Sequence, residues 1–272
     1  AGYNAGNLQL FRNTTVAGST SFTFGSAFTI TIANAYFTEY VTTADLDGDG
    51  RPDLITGDVL GATANSLRIF RNLSVSGTLS FGAEQDIALA NGPLAIAVSD
   101  LDHDSKPDLV VTLNATNSVY ILHNISTLGT ISLTISQVLT GFNNLREVAI
   151  GDFDGGSNPD LAIANLTAGN VLFYRNTFAT TGTISITSAP SLTFNTSTTA
   201  PWGLSIADFD GDGKIDLAVA NNISSNSYVT LLRNTSTVGN LSFTANAYGT
   251  AGYSENVVTG DMNGDGKPDV IV

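Results

Sequence analysis

The chain has 272 residues, with 10 Lys plus Arg against 24 Asp plus Glu, a formal charge of -14 and no cysteine. That charge argues against nucleic acid and anionic membrane surfaces and for cations as partners; the missing cysteines exclude a disulfide frame and a thiolate metal site. Hydrophobic residues make up 42%, enough for a packed core, and no apolar run approaches the ~20 residues that membrane insertion needs.

In chain order, the first elements are an apolar run closing on Arg-Asn, LQLFRN (8–13), then GSTSF (18–22) and the β-rich run FTITIA (28–33). An aspartate-rich segment follows, DLDGDGRPD (45–53), and leads into another apolar run. The same series then returns. LRIFRN (67–72) and GTLSF (77–81) precede LAIAVSD (94–100) and DLDHDSKPD (100–108). VYILHN (119–124) and GTISL (129–133) precede DFDGGSNPD (152–160); VLFYRN (171–176) and GTISI (182–186) precede DFDGDGKID (208–216). VTLLRN (229–234) and GNLSF (239–243) precede DMNGDGKPD (261–269), after which the chain stops at PDVIV.

The acidic segments start 55, 52, 56 and 53 residues apart. Each copy holds four short β-rich runs: one before the acidic loop, one after it, the Arg-Asn run, and one that starts at the GTISF element. Four strands per repeat of this length is the signature of a propeller blade. The expected fold is all-β: one domain over 1–272, a single five-bladed β-propeller with four antiparallel strands per blade. The sequence opens at a third-strand element and closes after a second strand, so both terminal segments would contribute to one shared blade, which would remove exposed edges; the alternative is a window cut from a longer array.

The loops carry the chemistry. In 45–53, Asp45, Asp47 and Asp49 stand at positions 1, 3 and 5, Gly50 at 6 permits a sharp turn, Arg51 at 7 offers a backbone carbonyl and Asp53 at 9 closes the loop. Calcium takes six to eight hard oxygen ligands, and this spacing resembles the first nine positions of an EF-hand. Position 12 is Thr56 rather than Glu, on an apolar strand, so the reading is a calcium hairpin between strands. The second loop offers Asp100, Asp102, Asp104, Lys106 and Asp108; the third Asp152, Asp154, Gly156, Asn158 and Asp160; the fourth Asp208, Asp210, Asp212, Lys214 and Asp216; the fifth Asp261, Asn263, Asp265, Lys267 and Asp269. Position 7 (Arg51, Lys106, Asn158, Lys214, Lys267) acts through its backbone oxygen.

These loops hold 18 of the 24 acidic residues. Such crowding without a cation costs repulsion and desolvation, and five Ca²⁺ would bring -14 to about -4. The third loop is expected to bind weakest, because Gly156 replaces the position-5 carboxylate. Ser105 at position 6 must take a strained turn. His103 and His123 read as drift of the repeat, not as catalytic groups. Asn-x-Ser/Thr triplets occur nine times, but the Asn, Ser and Thr content explains them without glycosylation.

Taken together, these motifs resemble the FG-GAP/VCBS repeat of bacterial surface proteins, with Phe24-Gly25 and Phe81-Gly82 standing for its FG. That unit is similar to the calcium-bearing blades of integrin α-subunit propellers and to fungal integrin-like propeller lectins. The resemblance covers the whole chain and implies a calcium-loaded propeller, lectin-like or adhesive, at the cell surface. Integrin propellers have seven blades and calcium in only some, so that count is not carried over.

In a propeller the acidic loops share one face with the uniform third-to-fourth connections. The opposite connections vary, which suits recognition. They collect Tyr36, Glu39, Tyr40, Arg146, Glu147, Trp202, Tyr253 and Glu255. Aromatics beside carboxylates suit a sugar ring or a peptide; Trp202 equally suits a packing role between blades, and Arg146 with Glu147 a surface ion pair. The expected function is a non-enzymatic, extracellular or cell-surface binding module for a glycan or another protein, with calcium structural. The alternatives are a scaffold propeller within a larger secreted polysaccharide-degrading enzyme, and a structural repeat of an adhesin.

Overall fold

A computed structural model describes residues 6–32, 40–57, 65–113, 115–196, 200–222, 227–250 and 252–272. Every regular element among them is a strand. A two-stranded sheet pairs β1 (Asn7–Leu10) with β2 (Phe28–Thr31). Four four-stranded sheets follow: β3 (Val41–Ala44), β4 (Asp53–Gly57), β5 (Ser66–Asn72) and β6 (Phe81–Ala88); β7 (Pro93–Ser99), β8 (Asp108–Leu113), β9 (Ser118–Asn124) and β10 (Leu133–Leu139); β11 (Leu145–Gly151), β12 (Asp160–Asn165), β13 (Asn170–Tyr174) and β14 (Leu192–Asn195); β15 (Pro201–Ala207), β16 (Asp216–Asn221), β17 (Tyr228–Asn234) and β18 (Phe243–Gly249). A second two-stranded sheet pairs β19 (Val258–Gly260) with β20 (Asp269–Ile271).

Each four-stranded sheet is a meander in which sequence neighbours pair, and the recorded pairs run antiparallel. The strand after each of the first four acidic loops is the most deeply placed: β4, β8, β12 and β16 are buried at every residue, whereas β20 after the fifth is partly to fully exposed. Their near-continuous apolar runs fit a strand covered on both faces. The fourth strands are far more exposed, as in β18.

The chain divides into two compact units, 1–94 with 126–132, and 95–125 with 133–272. In the first, Leu8, Ile30 and Ile32 pack on Leu54 and Phe70, so the β1–β2 sheet lies against β3–β6. In the second, Leu101, Val110, Val119 and Ile121 meet Leu161, Ile163 and Leu172. On the next layer Phe153, Phe173 and Ala162 meet Leu217, Val219 and Leu232, with the Phe173 and Phe243 rings stacked at 4.5 Å. Ala218, Ala220 and Val229 then meet Val257 and Val270. Face-to-face stacking of sheets thus builds the core of the second unit.

One expectation needs correcting. The GTISF elements are turns, and the fourth strand starts only at or beyond their last residue. Isolated bridges Val75–Thr78, Thr127–Thr130 and Thr237–Asn240 close tight turns, with Gly77, Gly129 and Gly239 at φ near +80°, a region that glycine enters without steric cost. The fold holds four four-stranded and two two-stranded sheets among the described residues, where five four-stranded blades were expected.

Candidate metal centres

All five acidic loops share one backbone frame. The position-5 N–H donates to the position-1 carboxylate and to the side-chain oxygen at position 3: Asp49 to Asp45 and Asp47, Asp104 to Asp100 and Asp102, Gly156 to Asp152 and Asp154, Asp212 to Asp208 and Asp210, Asp265 to Asp261 and Asn263, at 2.8–3.2 Å. The position-6 N–H donates to the second position-1 oxygen, from Gly50, Ser105, Ser157, Gly213 and Gly266. Position 7 donates its N–H to position 5 from Arg51, Lys106, Lys214 and Lys267. In the third loop Gly156 presents no carboxylate to receive such a bond; the Asn158 side-chain amide donates to the Asn176 carbonyl at 3.2 Å, as Arg51 Nε does to the Asn72 carbonyl at 3.0 Å.

The frame needs left-handed backbone at positions 4 and 6. Glycine supplies it in most loops; His103 (φ 57°), Ser105 (φ 69°) and Ser157 (φ 72°) adopt it without glycine's freedom. The strain expected at Ser105 is therefore present, and the third loop shares it at Ser157.

Position 9 is the anchor. Asp53, Asp108, Asp160 and Asp216 are buried. One oxygen of each accepts the N–H of position 2 (Leu46, Leu101, Phe153, Phe209) and the other that of the Asn ending the third strand (Asn72, Asn124, Asn176, Asn234). Asp269 accepts from Met262. Burial pushes these carboxyls up against the pull of the two N–H groups: Asp108 to about 6 and Asp160 to about 7, with Asp53 and Asp216 also raised. By contrast, Asp210 is held below the usual carboxylate range, chiefly by Arg233, and Asp261 by the Gly266 N–H and its neighbours. Carboxylate oxygens of positions 1, 3 and 9 lie within 4.8 Å of one another in the first four loops. Clusters of ionisable, all-oxygen donors at that spacing could hold a metal ion, and their hardness fits an alkaline-earth cation.

The third strand supplies a partner that the sequence reading missed. Arg71 Nε binds Asp47 Oδ2 and its Nη2 binds Asp49 Oδ2; Arg233 does the same with Asp210 and Asp212; Arg175 binds Asp154. In the second copy His123 stands there, with Nε2 3.1 Å from Asp102 Oδ2 and 3.9 Å from Asp104 Oδ2. The Asn beside it is also engaged: the Asn72 and Asn234 side-chain oxygens accept the Ser74 and Ser236 N–H at 2.9 Å. With Asn72, Asn124, Asn176 and Asn234 buried, these Asn residues serve the turn.

At the opposite end of the sheets, Tyr36 and Glu39 lie outside the described residues. The Tyr40 carbonyl accepts from Thr56 Oγ1 at 2.7 Å. Arg146 lies over the Trp202 ring, 3.8 Å from its centroid, so the guanidinium covers one indole face. The backbone of Glu255 and Asn256 approaches Gly203 so closely that a Cβ there would sit 2.9 Å from the Glu255 carbonyl. Glu255 accepts from Asn222 Nδ2 at 3.2 Å, and Tyr253 is exposed. The structure thus gathers Arg146 with Trp202 and brings Glu255 beside Gly203, while Tyr40 belongs to the other unit.

A family model for the FG-GAP-like repeat matches residues 1–56, 57–111, 152–219 and 208–272. No curated protein matches the chain. Among solved structures, the V. cholerae biofilm matrix protein Bap1 is similar at 19% identity and a TM-score of 0.43, over 73% of this chain and 27% of that one. BBS1N, solved in complex with ARL6DN, is similar at 14% identity and a TM-score of 0.47, over 88% of this chain and 77% of that one. The chain thus spans about a quarter of the Bap1 chain.

Proposed function

The chain belongs to the FG-GAP-like repeat family, and from that premise we propose that it is a calcium-binding β-propeller module, non-catalytic, acting outside the cell in glycan or protein recognition. The observation that carries this reading is the frame common to all five loops: backbone N–H groups hold the oxygens of positions 1 and 3 in one arrangement each time. Up to five Ca²⁺ would sit there, bound by positions 1, 3, 5 and 9 and the position-7 carbonyl, with the third loop weakest. The ion supplies charge neutralisation and cross-links the two strands that flank each loop; the chain's part is to pre-position the oxygens. Free calcium at the millimolar level outside cells suits sites of this class, and a chain without cysteine gains its staple from metal.

The proposal extends to five blades. The elements β19 and β20 are a first and a second strand, and β1 and β2 a third and a fourth, so together they hold the strand types of one blade. Hydrogen exchange tests this: in such a blade β20 would pair with β1, so protection of β1 and β20 amides equal to that in β12 and β13 supports closure, and free exchange at both contradicts it.

Recognition is placed on the connections opposite the acidic loops, around Arg146, Trp202, Tyr253 and Glu255. A glycan array probed with calcium and with chelator, using the native chain and Trp202→Ala, tests the placement. Calcium-dependent binding weakened by Trp202→Ala is expected; binding unaltered by the substitution contradicts it.

A further inference from the structure

The second acidic loop differs from the first, third and fourth in what faces its outer oxygens. There the third strand presents Arg71, Arg175 and Arg233, whose guanidinium groups occupy the space beside position 3. Here it presents His123, whose imidazole nitrogen is a good metal ligand. Asp102 is fully buried, and neither Asp102 Oδ2 nor His123 Nε2 makes a hydrogen bond, although both atoms are shut off from solvent. The inner oxygens of the two carboxylates are committed to the loop: Asp102 Oδ1 accepts the Asp104 N–H at 3.2 Å and Asp104 Oδ1 the Lys106 N–H at 2.9 Å. Their outer Oδ2 atoms face the imidazole, at 3.1 and 3.9 Å from Nε2. Two ligands each about 2.0–2.1 Å from one zinc in tetrahedral geometry lie about 3.3–3.4 Å apart, which those separations bracket. Lys106 Nζ stands 3.8 Å from Asp104 Oδ2 on an exposed side chain free to withdraw.

We propose that His123, with the outer oxygens of the second-loop residues Asp102 and Asp104, forms a site for a divalent transition-metal ion of the zinc class, sharing those two carboxylates with the calcium frame and distinct from the all-oxygen loops in its nitrogen donor. One nitrogen and two carboxylate oxygens make a set that zinc accepts and calcium does not favour. The inference rests on the imidazole and on the buried Asp102 Oδ2, which accepts no hydrogen bond, not on the calcium reading. The test is calorimetric titration of the full chain with zinc chloride in millimolar calcium, for the native chain, His123→Arg, which restores the residue of the other copies, and His103→Asn, which removes the other histidine. One zinc per chain is expected for the native protein and His103→Asn, and none at comparable affinity for His123→Arg. His123→Gln repeats the test should the arginine variant fail to fold. No zinc binding by the native chain, or equal binding by both His123 variants, overturns the proposal and leaves His123 as a substitute ion-pair partner for Asp102.

Discussion

At one end of the β15–β18 sheet stand Asp208, Asp210, Asp212 and Asp216 with Arg233; at the other stand Trp202, Asn222 and Glu255. Each of the four aspartates accepts a backbone N–H, and the same bonds recur in the other loops, save the one to position 5 in the third, where Gly156 has no carboxylate. The contacts at the far end are single: one guanidinium over one indole, one amide to one carboxylate. The loop end is thus one arrangement repeated, and the far end a set of contacts particular to this sheet. The two ends should therefore respond differently to perturbation.

Calcium removal should separate them most. A ligand that binds only the folded state stabilises by roughly 2.7 kcal/mol per site at a hundredfold excess over its dissociation constant. Several occupied loops then contribute on the order of ten kcal/mol. Chelator should lower Tm steeply, by the same amount in Trp202→Ala as in the native chain; a chelator effect altered by Trp202→Ala would break the separation of the ends.

The pH dependence sharpens it. Asp108 and Asp160 titrate near 6 and near 7 in the folded chain against 3.8 ordinarily. The folded state binds these protons more tightly than the unfolded state, so their contribution is full below about pH 4 and lost as pH rises through 6 to 7. In calcium-free buffer, Tm should fall from pH 5 to pH 8, while the gain on adding calcium should grow over the same range. Asp210 and Asp261, shifted downward, act below this window. A calcium-free Tm that rises from pH 5 to 8 would contradict the buried anchors.

Single substitutions follow in size. Asp216→Ala strands the Phe209 and Asn234 N–H groups, at a cost of about 2–4 kcal/mol, read by denaturant unfolding in saturating calcium. Trp202→Ala at the other end loses the Arg146 contact and should cost about 1 kcal/mol from that interaction. Gly156→Asp adds a carboxylate to the cluster and disturbs the bond from the Gly156 N–H to Asp154, so it should lower stability modestly in chelator and tighten calcium at the third loop. Its new Cβ must displace only the Asp154 carboxylate, which lies 2.7 Å away.

The strand order and the loop positions were legible because each copy repeats the same spacing, and a four-stranded meander puts the acidic loop between the first two strands. The arginine clamp was not. Arg71 and Asp47 are 24 residues apart, and their meeting depends on strand register, which spacing alone does not set. A signal was present: in a meander, the end of the third strand returns to the loop end, and basic residues at 71, 175 and 233 answer acidic loops. His123 read as drift for the same reason. The GTISF elements read as strand starts because their β-rich residues outweigh the turn that Gly77 or Gly129 imposes. The variable connections gave no repeat to read, and Arg146 over Trp202 is a contact between neighbouring sheets.

The claim that the acidic loops are metal centres is tested most directly by counting metal. The full chain, equilibrated with calcium and freed of unbound ion, should retain four calcium ions tightly, with a fifth, weaker one lost first and lost selectively when Asp152 is replaced by Ala. Retention of none, or of a single ion unaffected by substitution at position 1 of any loop, would contradict the account.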